Sequence, residues 1–119
     1  MKKLFLTGFM VFMLVAVNAQ IGDVQQKGSS LYSYDGTKQI GRFTISSSDS
    51  FLGFSSSIIV VQKGSSIYSY DESGKQLGRF SISSGDQFKS VVGNNINIKK
   101  GSSLYTYDVS GKQIARRNL

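Results

Sequence analysis

Apolar residues along this chain come in short alternating runs, with no helical period outside the first residues. Asn95-Ile96-Asn97-Ile98 alternates polar and apolar, which predicts a half-buried strand. Ile58-Ile59-Val60-Val61 is apolar at four successive positions, which predicts a strand covered on both faces. Gly22-Asp23-Val24-Gln25 keeps little of either pattern and is expected at a sheet edge. A Lys-Gly pair follows each of these stretches, at Lys27, Lys63 and Lys100, and predicts a tight turn. The next strand then carries Tyr32 and Tyr34 on one face and Leu31, Ser33 and Asp35 on the other. Tyr68/Tyr70 and Tyr105/Tyr107 repeat that arrangement.

Asp35, Asp71 and Asp108 open a second turn, in which an Asp carboxylate accepts the backbone N–H two residues on. Gly74 and Gly111 then take the left-handed position of a hairpin loop. A third strand puts Ile40, Arg42 and Thr44 on one face and Gly41, Phe43 and Ile45 on the other. Gly41 and Gly78 are expected to let a neighbouring aromatic ring lie across the backbone. Ser-rich stretches, Ser46 to Ser50 and Ser83 to Gln87, read as linkers ending in the anchors Phe51 with Phe54 and Phe88 with Val91.

The pattern is written three times. Lys27, Lys63 and Lys100 lie 36 and 37 residues apart, and the one-residue difference falls inside the Asp turn. A hairpin tip absorbs such a change, whereas a strand interior would have its later side chains reversed. The expected class is all-β: three antiparallel hairpin or ribbon repeats of about 36–37 residues, at about 21–57, 58–94 and 95–119, with about nine short strands. One such ribbon is barely stable in water. Closure with pseudo-three-fold symmetry, as in a flower, trefoil or small propeller, hides the most edge. The alternative is a linear β-meander or solenoid in which each unit touches only its neighbours. A fourth strand per unit, as a true trefoil has, is not visible in the pattern.

Residues 1–19 set the context. Lys2 and Lys3 precede an apolar run from Leu4 to Val17, and Val17-Asn18-Ala19 offers small residues for cleavage. This is the pattern of a signal peptide. The run is short for a membrane span, which needs roughly 20 apolar residues. Removal after Ala19 would leave one all-β domain, 20–119, with 12 basic and 7 acidic residues and no later membrane span. The expected location is secreted or periplasmic, in a bacterial exported protein. The chain has no Cys and no Pro. Sheet packing and hydrogen bonds therefore replace the disulfides common in small secreted domains.

The stretch Tyr70-Asp71-Glu72-Ser73-Gly74-Lys75-Gln76-Leu77-Gly78, its copy ending at Ala115, and the looser Tyr34 to Gly41 resemble the β-flower-type secreted repeat proteins of Bacteroidota. The resemblance covers roughly 30 residues of turn chemistry. It implies a petal-like fold and brings no activity or site residue.

Candidate chemistry is defined mostly by what is missing. The chain has no His, which removes the usual general base and the commonest transition-metal ligand. Asp35, Asp71, Asp108, Asp49 and Asp86 are accounted for as turn formers, leaving Asp23 and Glu72 without a matched carboxylate. One carboxylate per turn is too few for a calcium cage. The expectation is no catalysis, no cofactor and no metal. What remains is a binding surface: Tyr32, Tyr34, Arg42, Tyr68, Tyr70, Arg79, Tyr105, Tyr107 and Arg116. Tyr and Arg dominate contact hot spots, and Tyr stacks on sugars or bases. The competing use of the Tyr pairs is cross-strand packing. Lys at the hairpin tips also guards against edge-to-edge aggregation. The expected role is a structural or binding module. Its partner would be an anionic glycan, such as lipopolysaccharide or an acidic polysaccharide, or extracellular DNA, or another envelope protein. Self-association through the terminal strands is the second expectation.

Overall fold

A computed structural model describes residues 20–119, and the expected signal peptide lies outside them. The described chain is all-β and carries no helix. Eleven antiparallel strands form three meandering sheets that do not close into a barrel. The first sheet holds β1 (Asp23–Lys27), β2 (Ser30–Asp35) and β3 (Lys38–Thr44). The second holds β4 (Ser50–Phe54), β5 (Ile59–Lys63), β6 (Ser66–Tyr70) and β7 (Gln76–Ser81). The third holds β8 (Gln87–Val92), β9 (Asn95–Lys100), β10 (Ser103–Asp108) and β11 (Gln113–Asn118).

Two of these strands correct the expectation. The Ser-rich stretches do not run as linkers into single anchors. Each makes a tight turn, in which the Asp49 or Asp86 N–H donates to the carbonyl of Ser46 or Ser83, both at 3.0 Å. The chain then enters β4 or β8 as the first strand of a four-stranded sheet. The period of two is hidden there because both strands carry a register shift, between Phe51 and Gly53 and between Phe88 and Ser90. Such a bulge places two residues opposite one and breaks the alternation. β1, with its weak pattern, is an outer strand, as expected.

Packing follows strand parity. Ile59 and Val61 of β5 join Val24, Leu31, Ile45 and Tyr70 in one core between the first and second sheets. Ile58 and Val60, on the other face, join Ile67, Phe80, Ile96, Ile98 and Tyr107 in a core between the second and third. The four-residue apolar run is therefore covered on both sides, with exposures of 0–1%. Neither core contains residues from both the first and third sheets.

The glycines of the third strands seat backbone, not aromatic rings. A Cβ added at Gly41 would overlap the Glu72 carbonyl, and one at Gly78 would overlap Val109 and Ser110 backbone atoms. The Asp turn of each following sheet thus lies directly on a glycine of the sheet before it. Ser33 and Ser69, 1% and 2% exposed, complete the seat. The Ser33 hydroxyl donates to the Glu72 carbonyl at 3.2 Å, and the Ser69 hydroxyl donates to the Val109 carbonyl at 2.7 Å.

The turn itself is held by one carboxylate. Asp71 Oδ1 accepts the N–H groups of Ser73 and Lys75, each at 2.9 Å, and the Ser73 hydroxyl at 2.8 Å. Asp108 does the same for Ser110 and Lys112. Gly74 and Gly111, with φ of 91° and 97°, supply the left-handed residue that folds the turn back.

The two outward faces read differently from the buried ones. Across the second sheet, register aligns Gly53, Val60, Ser69 and Gly78, and that row is covered. Across the third, register aligns Ser90, Asn97, Thr106 and Ala115. There Asn97 Nδ2 donates to the Ser90 hydroxyl at 3.0 Å, and the Thr106 hydroxyl donates to Asn97 Oδ1 at 2.7 Å. Arg117, 37 residues after buried Phe80, is exposed. At the other end Asp23 and Gln25 hold the places of Ile59 and Val61 and are exposed. Amide, carboxylate and guanidinium groups satisfied by solvent do not welcome another apolar sheet.

Candidate binding surface

The Lys-Gly hairpin brings three side chains together on one face. With Lys27 opposite Ser30 and Gln25 opposite Tyr32, strand parity sets Lys27 diagonally beside Tyr32. Arg42 lies directly across from Tyr32 on β3. The Lys27 ammonium is 5.3 Å and the Arg42 guanidinium 5.7 Å from the ring centroid. Tyr68 lies under Lys63 at 5.5 Å and Arg79 at 5.9 Å. Tyr105 lies under Lys100 at 5.6 Å and Arg116 at 5.4 Å. Each of the three rings is half-buried beneath two cations, within cation–π range. Arg79 Nη1 also donates to the Tyr68 hydroxyl at 3.1 Å.

The two members of each Tyr pair have separate fates. Tyr70 and Tyr107, 7% and 8% exposed, belong to the cores. Tyr70 packs on Phe43 with centroids 5.0 Å apart, and Tyr107 stacks on Phe80 at 3.8 Å and 6°. Both contacts cross from one sheet to the next. Tyr34, 36 residues before Tyr70, belongs to neither core and is half-buried on the outer face of the first sheet. Nine side chains considered as one surface therefore resolve into three cation-covered rings, two buried rings and Tyr34.

The lysines are part of this surface, and the tip-guarding role alone does not describe them. Their constant lead of five residues over Tyr32, Tyr68 and Tyr105 carries the information. In a two-residue hairpin that spacing puts the Lys and the Tyr on the same face, on adjacent strands.

Asp49 and Asp86 add ion pairs to their turn-forming role. The Lys63 ammonium lies 3.3 Å from Asp49 and the Lys100 ammonium 2.9 Å from Asp86. The same carboxylates accept the Ser46 and Ser83 N–H groups at 3.0 and 2.8 Å. Burial works against both ammonium groups, yet the pKa of each is raised, because tyrosine and aspartate partners together outweigh it. Asp86 is held below the usual carboxylate range by the Ser83 N–H and by Lys100. Lys27 has no such partner among the described residues. The paired aspartate precedes its Lys by 14 residues, and the residue 14 before Lys27 is Met13.

Among the described residues no three His, Cys, Asp or Glu side chains gather where a metal could sit, and no helix is long and apolar enough to cross a membrane. The surface offers aromatic faces, cations and hydroxyls. No protein-family model matches the chain, and no curated protein is similar enough to count as a relative.

Proposed function

We propose that this chain is an exported, non-enzymatic binding module, an open line of three repeat sheets. Its hairpins present Lys, Tyr and Arg to an anionic glycan or another envelope protein. The supporting observation is the threefold recurrence of one ring between two cations, at Tyr32, Tyr68 and Tyr105, while the second Tyr of the later pairs is committed to packing. Cations held over a ring offer an anion charge while the ring edge offers apolar contact. The open line is supported by two cores that each join successive sheets, and by polar outward faces at both ends.

The test is a glycan array probed with the chain purified from an exporting host, beside an Arg42→Gln/Arg79→Gln/Arg116→Gln variant. Binding enriched in acidic glycans and lost in the variant supports the reading. An empty array removes the glycan as partner, and binding indifferent to the three arginines removes this surface as the site. Mass spectrometry of the same material checks export, with an N-terminus at Gln20 expected.

A second reading, self-association, is favoured by β1. It is an outer strand whose register with β2 is unbroken. The other outer strands, β3, β4, β7, β8 and β11, all join their neighbours through a register shift. A regular edge accepts a further strand more readily than a bulged one. Sedimentation over a wide concentration range decides this, since a persistent monomer is incompatible with it.

A further inference from the structure

We infer that the outer face of the first sheet, around Tyr32, Tyr34, Lys27 and Arg42, is the binding site for an acidic saccharide, a sugar carrying a carboxylate or sulfate. This rests on the proposed glycan-binding role and says where on the molecule it is exercised.

The same Tyr-bearing face exists in all three sheets, but among the described residues only here does no other sheet pack over it. In the second sheet it packs on Phe43 and the first core, and in the third on Phe80 and the second core. In the first sheet Leu31 and Ser33 turn toward the second sheet and are 1% exposed, so Tyr32 and Tyr34 point the other way. Neither tyrosine joins a core. The apolar neighbours that would have drawn in another sheet are replaced by Asp23 and Gln25, both exposed. The result is a half-buried two-ring platform on a three-stranded sheet, with polar groups along one border.

Charge selects the ligand. Lys63 and Lys100 are neutralised by Asp49 and Asp86, whereas Lys27 and Arg42 have no carboxylate partner among the described residues. At the Tyr32 end two cations therefore face outward together. At the Tyr34 end the register partner is Asp23, whose carboxylate accepts Gln25 Nε2 at 3.2 Å and has further lone pairs to offer. An acidic sugar fits this gradient. Its acid group meets Lys27 and Arg42, its ring stacks on tyrosine, and hydroxyls of the next sugar donate to Asp23. A nucleic acid does not fit it, because a second phosphate would meet the Asp23 carboxylate.

The test is calorimetric titration of the exported chain at low salt with a panel of carboxylated and sulfated tetrasaccharides, a neutral tetrasaccharide and a single-stranded DNA oligomer. Tyr32→Ala, Lys27→Gln and Arg42→Gln are each expected to weaken acidic-sugar binding by about tenfold or more. Arg117→Gln, an exposed cation outside the three ring clusters, should leave it within about twofold, and Arg79→Gln and Arg116→Gln report any binding at the other two rings. Added salt should weaken binding, and the neutral sugar should not bind. Equal losses at Arg79 or Arg116 would place binding along the whole rim, overturning this site while leaving the glycan-binding role standing. Binding of no acidic sugar, or tighter binding of the DNA, overturns the site. An array devoid of glycan hits removes the broader role with it.

Discussion

The hydroxyl of Ser69, on β6, donates to the main-chain carbonyl of Val109, in the turn after β10, at 2.7 Å. That bond ties the second sheet to the third, from Ser69, which is 2% exposed. Ser33 makes the corresponding bond to Glu72 between the first and second sheets. A buried carbonyl left without a donor costs about 1–3 kcal/mol. Ser33→Ala and Ser69→Ala should each lower unfolding free energy by about that amount in urea titrations followed by circular dichroism. Thr106→Ala, whose hydroxyl serves only Asn97 on an outward face, should cost less.

The adjoining glycines give a sharper contrast. Gly78→Ala forces a methyl group into the Val109–Ser110 backbone, and Gly41→Ala forces one into the Glu72 carbonyl. Backbone cannot rotate aside as a side chain can, so each change should destabilise by about 1–3 kcal/mol or more. Ala115→Val, on the exposed outer strand β11, should stay within about 0.5 kcal/mol. Equal denaturation midpoints for Gly78→Ala and Ala115→Val would show that the turn does not seat there.

The tyrosines should separate by role. Tyr107→Ala removes a ring stacked on Phe80 inside a core and should cost about 3–5 kcal/mol. Tyr32→Ala removes a ring that belongs to neither core and should cost less than about 1 kcal/mol. Thermal melts of the two variants beside the parent chain measure the difference. Comparable losses would mean that Tyr32 is a packing residue.

Acid should unfold the protein through its turns. Burial disfavours the Asp71 carboxylate, but donors from Lys75 and Ser73 outweigh it and hold its pKa below the ordinary value. Asp108 is lowered chiefly by the Ser110 hydroxyl and the Lys112 N–H, and Asp86 by the Ser83 N–H and Lys100. With folded pKa values depressed, the unfolded chain binds protons first. The stabilisation is therefore intact above the ordinary carboxylate pKa of about 4 and is lost as pH falls further. Melting temperature should be level from about pH 7 to 5 and drop below about 4. Asp71→Asn should flatten that acid limb; an unchanged limb would mean that other groups control it.

Much of the local structure was legible. Alternation in Asn95–Ile98 marked β9, and the double-faced run Ile58–Val61 was read as covered on both sides, which β5 is. The Asp-x-Ser-Gly pattern predicts Asp71 and Asp108 as turn anchors, and both make those bonds. β4 and β8 carry no visible period of two, because their bulges break it. Gly41 and Gly78 were recognised as sites of close approach, but their visitor is a turn from the next sheet, tens of residues away in sequence. The lysine half of the surface is legible in the five-residue lead of each Lys over its tyrosine, a spacing that a role at hairpin tips does not require.

The sequence by itself determined the all-β class, the turns and the parity of each strand, because these depend on neighbours within a few residues. Parity says that Tyr32 and Tyr34 share a face, and that Tyr68 and Tyr70 do too. It does not say what lies over that face. Only the tertiary structure decided that Phe43 covers Tyr70 and Phe80 covers Tyr107, while no other sheet joins Tyr32 and Tyr34 in a core. The reason is physical: a strand's alternation is a local steric property, whereas burial of a face requires a second sheet, whose approach is set by distant residues such as Val109 on Gly78 and Glu72 on Gly41.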